Sequence, residues 1–253
     1  MQSIDFDFSS AVKMLTLVEV TISAVEALVL ITGYLGDMPA PFKLAAAGLL
    51  FVALSGCLDP SLRNPEAYLS SYEVRAPRAN RVVVCHAYEC AIKTGVTLLE
   101  QDIETIREMM APAEESPKAE RAAIAETIGW MERRVAVEAG TADDRDYRDL
   151  FSGGDASQLD CIDEANNATS YMMLFRDLGL LRHHTIGYPV AQGFLLDGRY
   201  PHVTAVVIEN GSGKEYSIDS WVFANGEPAV VSPLDVWMTA DSADVYRSRY
   251  PNG

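Results

Sequence analysis

QLDCIDEANNATSYMML, residues 158–174, decides how the chain is read. Asp160 stands where a helix N-cap stands, and Asp163 or Glu164 sits where a capping-box acid sits. A helix therefore opens with Cys161 on its first turn. Ala165 and Ala168 share a face with Cys161, with Met172 further along, and small residues there let the helix approach a sheet closely. Backbone N–H groups and the helix dipole favour a thiolate at such a start, while the neighbouring acids oppose it. Activation of Cys161 thus calls for an imidazolium partner. The acids Asp160, Asp163 and Glu164 read as capping groups and a solvated face, with recognition of a cationic or amine-bearing substrate as the alternative.

Two strands follow at a useful distance. HVTAVVIE (202–209) begins with His202, NGSG (210–213) is a turn signal, and EYSIDSW (215–221) returns with Asp219. If an even number of residues closes the hairpin, His202 and Asp219 share a face as near or diagonal neighbours. An odd loop or a bulge separates them. Cys161, His202 and Asp219, at spacings of 41 and 17, supply in order a nucleophile, a base and a group that orients the base. His183 and His184, in LLRHHTIGYPVAQGF (180–194), belong to a preceding strand and read as structural. Trp221 and Trp237 read as core residues.

Upstream, LLEQDIETIREMM (98–110) is helical by its apolar spacing. ESPKAERAAIAETIGWMERRVAVEAG (115–140) is a longer helix, with Ser116, Pro117 and Glu120 marking its start and Gly140 its end. Ile124, Ile128, Met131 and Val135 form its buried stripe. In RVVVCHAYECAIKTGV (81–96) a strand-like valine run precedes a four-residue segment, His86 to Glu89, that sets Cys85 opposite Cys90. Three readings of this pair stay open: a disulfide in an oxidising compartment, a metal site with Cys85, His86 and Cys90, or two unpaired thiols. Residues 57–80, rich in Pro, Ser, Arg and Asn, read as a tether, and 241–253 as a short helix and tail.

The motifs Asp160-Cys161-Ile162-Asp163-Glu164-Ala165, His202 opening a strand, and Ser217-Ile218-Asp219-Ser220-Trp221 on the next resemble the transglutaminase-like superfamily, including the bacterial transglutaminase-like cysteine proteinases. The likeness runs from about residue 115 to 237, within a domain placed at 115–240, after a hairpin and helix at 81–114. It implies an α+β, papain-like core with helices packed on a small antiparallel sheet. It also implies Cys161 as nucleophile, His202 as general acid–base and Asp219 as its orienter. The implied reaction is acyl transfer on a peptide or protein amide through a thioester, without a cofactor or metal. The Cys161 backbone N–H is the first oxyanion donor, with Gln158 as candidate second. The alternative is a non-catalytic relative that binds a peptide or an envelope partner.

At the N-terminal side, MPAPFKLAAAGLLFVALSGC (38–57) ends in Leu54-Ser55-Gly56-Cys57, which resembles the lipobox of bacterial lipoproteins. The resemblance implies removal of a signal peptide, 38–56, and lipidation of Cys57. It implies a domain anchored in the bacterial cell envelope and facing the periplasm, with Leu58 pointing to the outer membrane. Translation is then expected to begin at Met38, with 1–37 as an upstream extension. The alternative is a pair of apolar helices, 10–36 and 43–56, forming a membrane hairpin or a buried pair. Glu19 and Glu26 are costly in lipid, and the second run is short for a span. The net charge of −16 and the absence of a basic run exclude nucleic acid as a partner. Anchoring is expected to depend on acyl chains rather than on basic attraction to lipid. Oligomeric state is left open by the sequence.

Overall fold

The structure is a computed structural model and describes residues 64–147, 152–193 and 201–251. The signal peptide, Cys57 and the apolar helices expected before it lie outside the described residues. Among the described residues no helix is long and apolar enough to cross a membrane.

The elements run α1 (Pro65–Ser71), β1 (Arg81–His86), β2 (Ile92–Thr97), α2 (Glu100–Met110), α3 (Pro117–Ala139), α4 (Cys161–Asp177), β3 (His184–Ile186) and β4 (Val190–Gln192). They continue with β5 (His202–Glu209), β6 (Glu215–Asp219), β7 (Val230–Pro233), α5 (Leu234–Trp237) and α6 (Ser242–Arg249). The class is α+β, with helices packed on two small antiparallel sheets. One sheet is the β1–β2 hairpin. The other runs β3–β5–β6–β7, and β4 also pairs with β5, beyond the end of β3.

The helix opened by Cys161 is the centre of the molecule. α4 is buried from Cys161 to Phe175, with only Ile162 partly open, and packs against β1, β5, α1 and α3. Ala165 and Ala168 admit the close approach expected of them. A helix enclosed in this way must find partners for its polar side chains. Asn167 does so by accepting from the Cys85 N–H at 2.7 Å and donating to the Cys85 carbonyl at 2.9 Å. Those two bonds weld β1 to α4.

α3 starts where its sequence signals put it, with Ser116 Oγ accepting from the Ala119 N–H at 3.1 Å, and ends at left-handed Gly140. Ile124, Ile128, Met131 and Val135 are buried as expected. Glu120 has a different task from capping. Its carboxylate accepts from the N–H groups of Arg182, His183 and His184 and meets His184 Nδ1 at 2.9 Å, fastening β3 to α3. Burial opposes the Glu120 charge, but these donors outweigh it and hold the carboxyl below its ordinary range. His184 is structural, as its sequence context suggests.

The segment read as a tether is part of the fold where it is described. Asn64 caps α1 through the Ala67 N–H at 2.7 Å, Pro65 takes the first helical position, and Tyr68, Leu69 and Val74 enter the core. Enough apolar side chains at helical spacing outweigh a polar composition. The loop after β6 lies directly on α3. A Cβ on Gly129 would stand 2.7 Å from the Glu227 carbonyl oxygen, and Glu132 accepts from the Gly226 N–H at 2.9 Å.

Candidate active site

The β5–β6 register pairs Ala205 with Ile218, so Asp219 lies opposite Thr204 and diagonal to His202 on the same face. The two side chains meet: His202 Nε2 lies 2.6 Å from Asp219 Oδ2, with both residues buried. With Asp219 ionised, Nε2 carries the proton and donates. Nδ1 is then the free acceptor, and it is buried without a hydrogen-bond partner.

Two indoles complete this pair. The Trp237 Nε1–H donates to the same Asp219 oxygen at 2.8 Å, and its ring centroid lies 5.3 Å from that of His202. Trp221 packs on the imidazole at 4.6 Å. Both tryptophans are buried, as expected of core residues, and both also pack against the imidazole. Their roles escape sequence reading because the contact depends on α5 folding back over β6, which no local pattern announces.

Cys161 occupies the first turn of α4. Asp160 Oδ1 accepts from the N–H groups of Ile162 and Asp163 at 3.0 and 2.8 Å, and Asp163 Oδ2 accepts from the Asp160 N–H at 3.1 Å. The capping box is therefore real, but the solvated face is not, because Asp163 and Glu164 are buried. Cys161 itself is buried, and burial pushes its thiol up to about 12, with the charges of Asp160 and Asp219 adding to the effect. The N–H groups of Val203 and of Cys161 work in the opposite direction. Burial thus joins the neighbouring acids in opposing the thiolate that the helix start favours. Tyr68 on α1 and Tyr72 at its C-cap stand near Cys161, and burial raises both phenols. Tyr68 packs edge-on to Tyr188 at 5.4 Å, which adds an aromatic wall from β3–β4. These tyrosines were missed, although Asn64-Pro65 is a helix-start signal that places Tyr68 and Tyr72 four apart on one face.

Gln158 is not placed as an oxyanion donor. Its Nε2 donates to the Asp143 carbonyl at 2.9 Å and to Ser157 Oγ at 3.1 Å, while its Oε1 accepts from Arg145. Its amide ties down the loop before α4.

Cys85 and Cys90 are joined by a disulfide. His86 turns elsewhere, with Nδ1 at 2.6 Å from the Ala156 carbonyl oxygen and Nε2 at 2.9 Å from Thr94 Oγ1, so the zinc alternative through Cys85, His86 and Cys90 does not assemble. Four successive residues in the turn, Ala87, Tyr88, Glu89 and Cys90, are left-handed with φ of 53° to 71°. That winding aims the turn's amides at the start of α4. Asp163 accepts from Tyr88 and Cys90 at 2.8 and 2.7 Å, and Asp160 accepts from Glu89 at 3.0 Å. Burial nevertheless pushes the Asp163 carboxyl up to about 8, aided by the Asp160 charge.

Behind the site, Glu164 Oε2 accepts from Ser220 Oγ at 2.7 Å, and its carboxyl adjoins that of Glu132 on α3. Burial pushes Glu164 up to about 7 and Glu132 well above its ordinary range.

No family model, no curated protein and no solved structure matches this chain.

Proposed function

We propose that the chain is a cysteine-dependent acyltransferase of transglutaminase-like type, a peptidase, amidase or transamidase acting through a thioester at Cys161. The observation that carries this reading is the buried His202–Asp219 pair, 2.6 Å apart, whose Nδ1 is left without a partner. The influence of the Val203 backbone N–H, next to His202, on the Cys161 thiol supports this reading, since it ties the sulfur to the end of β5 that bears the proposed base. A central helix bearing the cysteine, packed on a strand bearing the histidine with the aspartate on the next, fits the papain-like core that the motif resemblance implies.

The steps follow from these groups. His202 Nδ1 takes the thiol proton as the sulfur attacks an amide carbonyl. Asp219, held by Trp237, stabilises the imidazolium that forms. The Cys161 N–H is the first candidate to meet the oxyanion. The imidazolium then protonates the departing amine, and water or a second amine resolves the thioester. The Cys85–Cys90 disulfide fits an oxidising compartment, which agrees with the envelope lipoprotein implied by Leu54-Ser55-Gly56-Cys57.

A second reading, a non-catalytic module that binds a peptide or an envelope partner, draws on one observation: the Cys161 thiol is buried, and burial pushes it up to about 12. Iodoacetamide labelling of Cys161, followed by peptide mass spectrometry, separates the two. In the acyltransferase, His202→Ala and Asp219→Asn slow labelling at neutral pH by at least about tenfold, the lower end of the scale for a lost base. Equal rates in folded variants favour the binding module.

A further inference from the structure

The described residues include twelve arginines. Six form ion pairs with carboxylates: Arg121, Arg134, Arg176, Arg182, Arg247 and Arg249. Arg133 donates to the Gly226 carbonyl, and Arg145 to Gln158 and Ser152. In a chain with 36 acids and 20 bases, the remaining four, Arg75, Arg78, Arg81 and Arg107, are the minority. Among the described residues, three of the four whose guanidinium groups have no partner, Arg75, Arg78 and Arg81, line a single groove of about 340 Å³ with Ala76 and Val83.

The backbone builds this arrangement. Val74 returns to the Leu69 carbonyl at the end of α1, which sends residues 75–78 across the start of β1. Arg78 and Arg81 then exchange two backbone hydrogen bonds of 3.0 Å around left-handed Ala79. Paired residues of an antiparallel bridge point the same way, so their side chains stand together. Arg81 lies on the outer face of the β1–β2 hairpin, because Val82 and Val84 take the inner face. Gly95 makes room for it: a Cβ there would come within 2.7 Å of an Arg81 terminal nitrogen.

We propose that this groove binds a phosphate-bearing anion. Guanidinium groups donate in planar forks, and a tetrahedral phosphate presents several peripheral oxygens that can answer more than one fork at once. A single carboxylate is met by one. The overall acidity does not forbid this, since charges beyond a screening length of about 8 Å are felt weakly at physiological salt. The same phosphate chemistry comes from a phospholipid headgroup or from a soluble phosphate.

The test uses the full chain as wild type, as Arg78→Ala/Arg81→Ala, and as Gly95→Ala, which keeps every charge but displaces the Arg81 guanidinium. Each is titrated calorimetrically with inorganic pyrophosphate. Each is also floated with phosphatidylcholine vesicles with and without phosphatidylglycerol. The double variant is expected to lose about tenfold in affinity, the scale of a charge-assisted contact, and Gly95→Ala to weaken binding in the same assay. A loss seen with pyrophosphate assigns a soluble phosphate. A loss confined to the phosphatidylglycerol-dependent part of flotation assigns a lipid headgroup. If neither probe binds, or the double variant binds as wild type does, the proposal is wrong. A Gly95→Ala chain that binds unchanged reduces the effect to diffuse attraction and also overturns the built groove.

Discussion

Removing the Cys85–Cys90 disulfide by a double Cys→Ala substitution tests the turn that braces the start of α4. Four non-glycine residues in left-handed conformation cost about 1–2 kcal/mol each, or about 4–8 kcal/mol for the turn. With both carboxyls ionised, above about pH 8, three amide-to-carboxylate bonds, from Tyr88, Glu89 and Cys90, return about 1.5–3 kcal/mol each. Strain and bonds therefore nearly cancel, and the cross-link decides whether the turn holds. Its six-residue loop is worth about 2 kcal/mol of chain entropy. The variant should melt about 4–8 °C lower, at about 2–4 °C per kcal/mol for a fold of this size. The amides of Tyr88, of Glu89 and of the alanine that replaces Cys90 should lose most of their protection from hydrogen exchange, since their winding is no longer enforced. Melting temperature and amide exchange are read on the same preparation of each protein, with the wild type fully oxidised at Cys85 and Cys90. An unchanged melting point with these amides still protected would refute the balance, and would mean that Asp160 and Asp163 alone sustain the left-handed turn.

Two further outcomes follow from the site. Trp237→Phe keeps an aromatic ring near His202 but removes the indole N–H that donates to Asp219, so Cys161 labelling should slow severalfold with the melting point little changed; an unaltered rate refutes the positioning role. The second concerns pH. Burial raises Glu164 from an ordinary 4.5 to about 7, so between those values the unfolded chain has released a proton that the folded one retains. Stability from this group is full below pH 4.5, falls as pH rises, and levels off above about 7. Glu164→Gln keeps the Ser220 contact and should flatten the decline in melting temperature between pH 5 and 7; an equally steep decline in the variant sinks the assignment.

Much of the frame was legible in residue pattern. Ser116-Pro117 and Gly140 bound α3, Asp160 and Asp163 cap α4, and the NGSG turn aligns His202 with Asp219, because each depends on neighbours in sequence. What escaped reading depends on enclosure. Nothing local tells that Glu164 meets Glu132 from another helix, that Gln158 is spent on Asp143 and Ser157, or that α1 brings Tyr68 towards Cys161. Polar composition over 57–80 pointed to a tether, yet Tyr68, Leu69 and Val74 carry enough apolar surface to hold that segment to the core.

The same enclosure sets the terms on which Cys161 works. A helix N-terminus favours an anion by about 0.3–2 kcal/mol. Moving the thiol from an ordinary value near 9 to about 12 disfavours the thiolate by about 4 kcal/mol, so burial wins and the resting group is neutral. In the proposed reaction the proton leaves sulfur only as the new bond forms, and His202 must be ready with a free Nδ1 and a fixed ring. Hydrogen bonds and both indoles gather on the histidine side, through Asp219, Trp237 and Trp221, while the backbone N–H groups of Val203 and Cys161 act on the sulfur. Reactivity at Cys161 should therefore track the state of His202 more closely than the acids that crowd the helix start.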